Sequence, residues 1–504
     1  MQNVTDTHSP KPLDPDSCYR ALCAKDSRFD GEFFVGVAST GIYCRPVCRV
    51  KTPRASSCTF YPNASAAEAA GFRPCLRCRP ELAPYALQQN LAYAVWQRIA
   101  AGALNGEATM QDLAQQVGLS TRQLQRLMQQ HFGVAPIELA QTARLLFAKK
   151  LLQETGLSMT EIAWASGFGS VRRFNALFSS RYGMAPGALR RTRKADSNLM
   201  TLRLAYRAPF AWDTMLDYLR GRAIAGVEAI EQVGAARCYV RSVRYWHEDK
   251  YLEGWLKVSR LEHEQQLEIQ LGNQFAPVLM QLLDKIRQQF DLDANPAVIE
   301  QHLNSDALLA AQIGRTPGLR VPGAFSHFEL ALRAVMGQQI SVAGASTLTG
   351  RLVRQFGTPV NAEVGAPFDS ITHHFPEPEQ LATVSVEQMA QIGIPTTRAA
   401  TVLAVAQFAA QDGLNLAPGT SLEQAVTHLK TVRGIGEWTA QYIAMRALRF
   451  PDAFPAGDLG LQKAATPTNS AKRISEPELL KRTSHLSPWR SYAALLLWQS
   501  LNHQ

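Results

Sequence analysis

Two glycines and an aspartate in the last quarter of the chain form a pattern suited to anion binding and carboxylate chemistry. Gly434 and Gly436 flank Ile435, so the backbone can turn sharply and present its amides to an anion such as a phosphate. Asp458 follows a proline-rich loop, and its carboxylate could stabilise positive charge that develops on a sugar. Two alternatives stay open: an ordinary helix cap at the glycines, and an N-cap for a helix that begins at Leu459.

Four cysteines near the N-terminus have the spacing of a metal site. Three residues separate Cys44 from Cys48, two separate Cys75 from Cys78, and 26 lie between the pairs. Two close thiolate pairs can complete a tetrahedron around zinc. The N-terminus has no signal-peptide pattern, and a metal site then explains clustered cysteines better than disulfides do. We therefore predict bound Zn²⁺, with a purely structural zinc as the alternative to a reactive one.

Basic residues are concentrated in the first part of the chain. The formal net charge is +10, and residues 1–194 hold 24 Lys and Arg against 13 Asp and Glu, so the remainder is near neutral. This distribution is typical of a nucleic-acid binder, although a solubilising surface charge would look the same. Between residues 40 and 80, seven basic residues accompany a single acidic one, Glu68, which suits contact with phosphates.

Two helix-turn-helix patterns follow the cysteine segment, joined by a predicted long helix over residues 136–154. Capping boxes at Ser120 with Gln123, and at Ser158 with Glu161, open one helix in each pattern. The second pattern resembles the DNA-binding domain of AraC-type regulators, which implies two units that read successive major-groove segments. Exposed arginines that are solvated or on phosphates are the alternative to base reading. The residues expected to face DNA are Arg122, Gln123, Arg126, Arg172, Arg173 and Asn175.

The sequence around the cysteine pairs, FFVGVASTGIYCRPVCR and AAGFRPCLRCRPE, resembles the zinc domain of Ada-type alkylation-response proteins. The resemblance implies that all four cysteines bind zinc, and that Cys44 also accepts a methyl group from a methylphosphotriester in DNA. A zinc-bound thiolate stays deprotonated and nucleophilic at neutral pH. Because the methylated cysteine is not regenerated, the transfer would be stoichiometric. Loss of one negative charge would strengthen the attraction to DNA.

The order of the glycine hairpin and Asp458 resembles the signature of helix-hairpin-helix DNA glycosylases, and nearby aromatic residues extend the likeness to the AlkA-type alkylpurine glycosylases. The resemblance implies that Asp458 is catalytic and that the hairpin holds the DNA backbone. Stacking on aromatic rings would favour a cationic flipped base such as 3-methyladenine or 7-methylguanine. The pocket residues so implied are Trp438, Tyr442 and Trp498.

Some positions refine this resemblance. Gln339 stands where the family has a leucine that wedges into the base stack, so a glutamine is the expected wedge. Trp438 stands where bifunctional relatives place a strand-cutting lysine, which predicts a monofunctional glycosylase; simple core packing is the alternative for this tryptophan. The resemblance also implies a monovalent cation at the hairpin, held by the carbonyls of Lys430, Val432 and Gly434.

We predict a multidomain, mainly α-helical protein, since 504 residues exceed what one hydrophobic core covers. No apolar run approaches the roughly 20 residues of a membrane-spanning helix, so a cytoplasmic location at the bacterial nucleoid is expected. The expected parts are a small zinc-bound α+β domain over residues 10–85, an AraC-type double helix-turn-helix domain over 86–194, a small mixed α+β domain over 199–285, and an all-α helix-hairpin-helix glycosylase domain over 286–504.

Together these features predict a protein of DNA alkylation repair and response. The expected activities are base release of the DNA-3-methyladenine glycosylase II type and a stoichiometric methylphosphotriester methyltransferase that regulates transcription. The expected partners are double-stranded DNA, both alkylated and promoter, and RNA polymerase, with the chain acting as a monomer away from membranes. The alternative is a catalytically inactive, DNA-binding transcriptional activator with a structural zinc site.

Overall fold

α-Helices form most of the secondary structure in the computed structural model, which describes residues 14–84, 91–106, 108–190, 198–361, 367–467 and 472–501. The helices are α1 Pro15–Ala24, α2 Ala64–Ala69, α3 Leu91–Ala100, α4 Met110–Gln116, α5 Thr121–Phe132, α6 Pro136–Glu154, α7 Met159–Ala165, α8 Val171–Tyr182, α9 Trp212–Arg220, α10 Leu279–Gln289, α11 Pro296–Leu303, α12 Ala307–Arg315, α13 His327–Met336, α14 Val342–Phe356, α15 Pro378–Ala382, α16 Val386–Gln391, α17 Thr396–Ala410, α18 Leu422–Leu429, α19 Glu437–Arg446, α20 Leu459–Ala465, α21 Glu476–Arg482 and α22 Arg490–Ser500. None of the helices in the described ranges has the length and apolar character needed to cross a membrane.

The β-strands are fewer and short outside one region of the chain. They are β1 Phe34–Val37, β2 Ile42–Cys44, β3 Cys58–Tyr61, β4 Arg73–Pro74, β5 Leu199–Ala205, β6 Glu228–Val233, β7 Ala236–His247, β8 Lys250–Leu261, β9 Gln266–Gly272, β10 Thr358–Pro359 and β11 His373–His374.

The first of two compact units contains the chain up to Arg207 with two short later stretches, Phe275–Asp284 and Ala417–Gly419. Its small sheet has the strand order β3-β1-β2-β4. One apolar cluster joins Phe33 and Val35 to residues of α1. The long helix α6 packs against α3, α5 and α7, so it connects the two helix-turn-helix pairs.

Buried polar contacts hold the cysteine-bearing sheet and the helices together within the first unit. Lys149 of α6 forms a buried ion pair with Glu81, with 2.6 Å between Nζ and Oε2. The carboxylate of Glu68 accepts hydrogen bonds from Thr142 and Arg181, each at 2.9 Å. Removing one partner of a buried pair is strongly destabilising, so these contacts tie α2 and the segment after Cys78 to α6 and α8.

The second compact unit contains Ala208–Gln274, Lys285–Leu416 and Thr420–Gln504. Strands β6 to β9 follow one another as antiparallel neighbours, with pairs such as Cys238 with Ser259 between β7 and β8. The helix α13 is almost wholly buried and packs against α14, α17 and α19. This central helix therefore carries the helical part of the unit.

The predicted multidomain, mainly helical fold is confirmed, including both helix-turn-helix pairs. The capping boxes at Ser120 and Ser158 open α5 and α7. The mixed α+β domain expected over residues 199–285 contains the longest strands, β7 and β8, and β8 pairs with both β7 and β9. The predicted boundary between residues 194 and 199 lies mostly outside the described residues, and α10 runs across residue 285, where another domain boundary was predicted. The four-domain division stays a prediction.

Candidate functional site

The four cysteines named from the sequence meet at one place in the first unit. The Sγ atoms of Cys44, Cys48, Cys75 and Cys78 all lie within 4.8 Å of one another. Thiolates bound tetrahedrally to zinc at about 2.3 Å would be about 3.8 Å apart, so the cluster needs little adjustment to hold the ion. An all-thiolate donor set in this geometry fits Zn²⁺.

Strand pairing explains why two distant cysteine pairs meet. Strands β2 and β4 run parallel, with Tyr43 opposite Pro74. Cys44 and Cys75 are each the next residue along, and the Cys75 amide donates to the Tyr43 carbonyl at 3.0 Å. The pairing therefore places the first cysteine of each pair side by side.

Backbone amides and a cation surround the sulfur atoms. The Arg45 amide donates to Cys78 Sγ at 3.4 Å, and the Cys78 amide donates to Cys75 Sγ at 3.5 Å. The guanidinium of Arg45 bonds the Cys78 carbonyl at 3.2 Å and also pairs with buried Asp30. Cys44 is 7% exposed and Cys78 is only partly buried. The edge of the cluster is thus accessible from outside.

The six residues proposed to face DNA lie on exposed positions of α5 and α8. The two helices are alike in burial, because Leu124 and Met128 of α5 match Phe174 and Phe178 of α8 as fully buried positions. Gln123 differs from the others: its side-chain oxygen accepts the Ser120 amide at 2.9 Å and so serves the helix cap. Its carbonyl is therefore already engaged before any DNA contact.

The glycine hairpin lies between α18 and α19 in the second unit. Gly434 has a φ of +89°, and a Cβ there would come within 2.1 Å of Thr401 Oγ1. Gly436, at φ −91°, is the N-cap of α19, and a Cβ there would meet nothing within 4 Å. Ile435 between them is 6% exposed. The hairpin is thus anchored by its isoleucine, with an open glycine at the start of a helix.

Asp458 makes more contacts than the sequence indicated. It is the N-cap of α20, and its Oδ1 accepts the Leu461 amide at 2.9 Å. The indole of Trp498 also donates to Oδ1 at 2.9 Å, and the indole of Trp438 donates to Oδ2 at 3.1 Å. The two readings of this aspartate therefore do not exclude each other, since the cap and the indoles fix the carboxylate in one orientation.

The three predicted pocket aromatics line a single cavity with Asp458, of about 730 Å³. The rings of Trp438 and Tyr442 stack with centroids 5.4 Å apart at 11°, and Trp498 meets Tyr442 edge to face at 6.4 Å and 63°. A cavity of this size, with aromatic walls beside the Asp458 carboxylate, suits a flat, largely apolar group such as a nucleobase.

Sequence reasoning missed the polar floor of this cavity. Arg446 donates from NH1 to the hydroxyls of Tyr218 at 2.6 Å and Tyr442 at 2.7 Å. Burial alone would raise the pKa of Tyr442, but the charges of Arg446 and Arg222 outweigh it and lower this pKa to about 8. The spacing of residues 438, 442 and 446, one helical turn each, was the available signal for Arg446.

Gln339, the predicted wedge, is exposed and has a φ of +56°. The preceding residue fixes its loop, because Gln338 Nε2 donates at 3.0 Å both to the Gly434 carbonyl and to Thr439 Oγ1. Ile340 follows on the cavity wall and is 36% exposed. The loop thus presents a glutamine and an isoleucine next to each other.

Comparison with known proteins agrees with this anatomy. The metal binding domain of Ada matches residues 17–81, a helix-turn-helix domain matches 113–192, the AlkA N-terminal domain matches 201–326, and the HhH-GPD superfamily of base excision DNA repair proteins matches 332–488. A 3-methyladenine DNA-glycosylase structure from Archaeoglobus fulgidus is similar in fold, with a TM-score of 0.50 at 18% identity over 60% of this chain and 98% of that one.

Two relatives are similar in sequence. The DNA-3-methyladenine glycosylase 2 of Escherichia coli is 31% identical over 58% of this chain and 95% of its own. A probable bifunctional transcriptional activator/DNA repair enzyme AlkA of Mycobacterium tuberculosis is 37% identical over 97% of each chain. At that identity over nearly the full length, the protein belongs to the family of bifunctional transcriptional activators and DNA repair enzymes that join Ada-type and AlkA-type domains.

Proposed function

We propose that the protein releases alkylated bases, of the 3-methyladenine and 7-methylguanine type, from DNA at Asp458 and senses methylphosphotriesters at Cys44. The observation that most directly supports base release is that two indole N–H groups hold Asp458 in a cavity that fits a base. A glycosylase acting on duplex DNA must extrude its target nucleotide, which is easier when alkylation has weakened the base pair. The aromatic walls formed by Trp438, Tyr442 and Trp498 would hold the extruded base.

One carboxylate is sufficient for the reaction. A cationic alkylated base is a good leaving group, so the bond from sugar C1′ to the base nitrogen can break without an acid to protonate the base. Asp458 would stabilise the oxocarbenium-like sugar and orient the water whose oxygen bonds to C1′. The proton lost by that water passes to the carboxylate or to solvent.

The site supports base release without strand cutting. The strand-cutting relatives use a lysine amine to form a Schiff base with the sugar, and the corresponding position here is Trp438, whose indole donates to Asp458. With no amine at that position, we propose a monofunctional glycosylase. Borohydride reduces a Schiff base to a stable bond. Adding it while the protein acts on alkylated duplex DNA should therefore trap no covalent protein–DNA adduct.

Asp458→Asn tests the catalytic assignment. Asparagine also caps helices well, so α20 should persist, while base release from methylated DNA should fall by at least about a hundredfold because the charge is lost. Asp306→Asn is the matched control, since Asp306 is also an N-cap aspartate, on α12, and should keep full activity. Equal base release by wild type and Asp458→Asn would contradict the catalytic role of Asp458, and no release by either protein would support the inactive, DNA-binding activator.

The proposed methyl transfer uses Cys44 of the zinc cluster, with zinc keeping the thiolates deprotonated. The Cys44 Sγ would bond to the methyl carbon of the phosphotriester as the carbon–oxygen bond breaks, which leaves the phosphodiester as the anion. Cys78 is the more exposed thiol, so it is the natural competitor. Peptide mapping that found the methyl group on Cys78 would contradict the assignment.

The remaining assignments concern DNA contacts and partners. Arg122, Arg126, Arg172, Arg173 and Asn175 would contact promoter DNA, with Gln123 limited by its cap bond, and the hairpin from Gly434 to Gly436 would hold the damaged strand. Gln339 would fill the gap left by a flipped nucleotide, beside Ile340. Carbonyls of Lys430, Val432 and Gly434 would hold a monovalent cation.

We also propose that the protein is a monomer and that it acts on RNA polymerase at the promoter. In vitro transcription with methylated and unmethylated protein would test the action on RNA polymerase.

A further inference from the structure

The floor of the base cavity carries two phenol hydroxyls whose acceptor side is already used. Arg446 NH1 donates to Tyr218 Oη and Tyr442 Oη, at 2.6 and 2.7 Å. The two hydroxyl oxygens lie 3.4 Å apart, which is long for an O–H···O hydrogen bond. Each phenol still has one O–H to donate. Since the bond between the phenols is weak, these protons are available to a group that enters the cavity.

The Tyr442 hydroxyl and its Arg446 partner lie further along α19 than Trp438, the residue that bonds to the carboxylate. Trp438, which bonds to Asp458, is followed on α19 by Tyr442 one turn later and by Arg446 after a second turn. One turn of helix rises about 5.4 Å. A purine whose glycosidic bond lies at Asp458 and whose rings extend along α19 would bring the substituent on C6 to the phenols.

The charge at the floor is positive. The hydrogen-bond partners of Arg446 are the two phenols and the carbonyls of Pro322 and Gly323. The Arg222 guanidinium lies 3.8 Å from the centre of the Tyr218 ring. Two cations and two phenol donors favour an electronegative acceptor at this point and disfavour an amino group.

We propose that the Tyr218 hydroxyl determines specificity, as a hydrogen-bond donor that favours a flipped base with a carbonyl oxygen on C6 over one with an amino group there. The proposal rests on the proposed glycosylase function. It predicts that 7-methylguanine, which has the carbonyl, gains a contact that 3-methyladenine, which has the amino group, does not. Tyr218 thereby tunes the choice between two bases of similar size and charge.

The test is competition between the two bases in one sample. Duplex DNA treated with a methylating agent contains both lesions, and chromatography of the released bases gives the ratio of 7-methylguanine to 3-methyladenine release for the full-length protein. Tyr218→Phe keeps the ring over which Arg222 lies and removes only the hydroxyl. We expect it to lower the ratio about fivefold, the size of one hydrogen bond, while 3-methyladenine release stays the same or rises.

Tyr251→Phe is the matched control, because Tyr251 lies on β8 and contacts Trp246 and Arg244 rather than the cavity. It should leave the ratio unchanged. Equal losses for both bases in Tyr218→Phe would show that the residue only supports the fold, and no change for either base would show that its hydroxyl is not used; both results overturn the proposal. Absence of any base release by the wild type would instead refute the proposed function.

Discussion

Asp458 caps a helix and is also the carboxylate that we propose to be catalytic. Its Oδ1 caps α20 and also accepts an indole N–H, while Oδ2 accepts the second indole. A carboxylate bound in this way cannot rotate to follow the substrate, so the base and sugar must be brought to it. The same two residues, Trp438 and Trp498, line the cavity and hold the Asp458 carboxylate.

Tyr442 gives the cavity a pH dependence that can be measured. Its phenol faces Arg446 on the same helix, Arg222 and Tyr218 from the α9 segment, and Arg333 of α13, and its pKa is lowered to about 8. Below this pH the hydroxyl can donate a hydrogen bond, and above it the phenolate can only accept one. We therefore expect 7-methylguanine release by the wild type, relative to Tyr442→Phe, to fall as the pH rises through about 8.

The quantity to measure is the rate of 7-methylguanine release by the wild type divided by the rate for Tyr442→Phe. Ionisation of the DNA bases affects both proteins equally, so it cancels in this ratio. A ratio that stays constant between pH 7 and pH 9 would contradict a Tyr442 pKa lowered to about 8.

At the scale of elements, the two glycines of the hairpin between α18 and α19 have different roles. Gly434 is required by the backbone itself, because of its positive φ and the nearby Thr401 hydroxyl. Gly436 has ordinary backbone geometry and open space in front of it. We propose that Gly436 leaves room for a phosphate of the DNA backbone, since the start of a helix attracts anions.

Substituting alanine for each glycine in turn tests these two roles. Gly434→Ala should destabilise the protein by about 1–2 kcal/mol or more, since an L-residue is strained at this φ and its Cβ would meet Thr401. Gly436→Ala should leave the melting temperature nearly unchanged and weaken binding to duplex DNA. Thermal unfolding and DNA titration of the two variants provide the check. Similar melting temperatures for both would contradict the assignment.

The parts of the site that could be predicted from the sequence are those whose residues lie close together along the chain. Gly434, Gly436 and Trp438 lie within five residues, so their pattern was readable as one motif, and the cysteine pairs were readable for the same reason. The Trp498 bond to Asp458 crosses 40 residues, and Tyr218 lies 224 residues from Tyr442. Such contacts depend on how helices pack, which no local pattern encodes, so Tyr218 was not predicted.

At the scale of the whole molecule, two chemistries are distributed over two compact units. The zinc cluster, the helix-turn-helix pairs and the excess positive charge all belong to the first unit, while the hairpin, Asp458 and the cavity belong to the second. We therefore expect that the chain can lose one chemistry without losing the other. This separation is what a protein that both senses and repairs would need.

Removal of zinc tests the separation. Zinc binding in such cysteine clusters is coupled to folding, so prolonged treatment with a chelator should abolish methyl uptake by the first unit. Base release should stay within about twofold of the untreated value, because the second unit has no part in the cluster. Methyl uptake restored by added Zn²⁺ would exclude irreversible damage. A parallel loss of base release on chelation would show that the two chemistries are not separable.

One measurement tests the central claim, that a single chain carries out two alkylation chemistries at Cys44 and Asp458. Full-length wild type, Cys44→Ser and Asp458→Asn are each incubated with duplex DNA treated with N-methyl-N-nitrosourea. Mass spectrometry then maps methyl groups on the protein, and the released bases are counted in the same tube. We predict one methyl group on Cys44 and many released bases for the wild type, base release alone for Cys44→Ser, and the methyl group alone for Asp458→Asn. A wild type with no methylated cysteine, or base release that survives Asp458→Asn, would contradict the account.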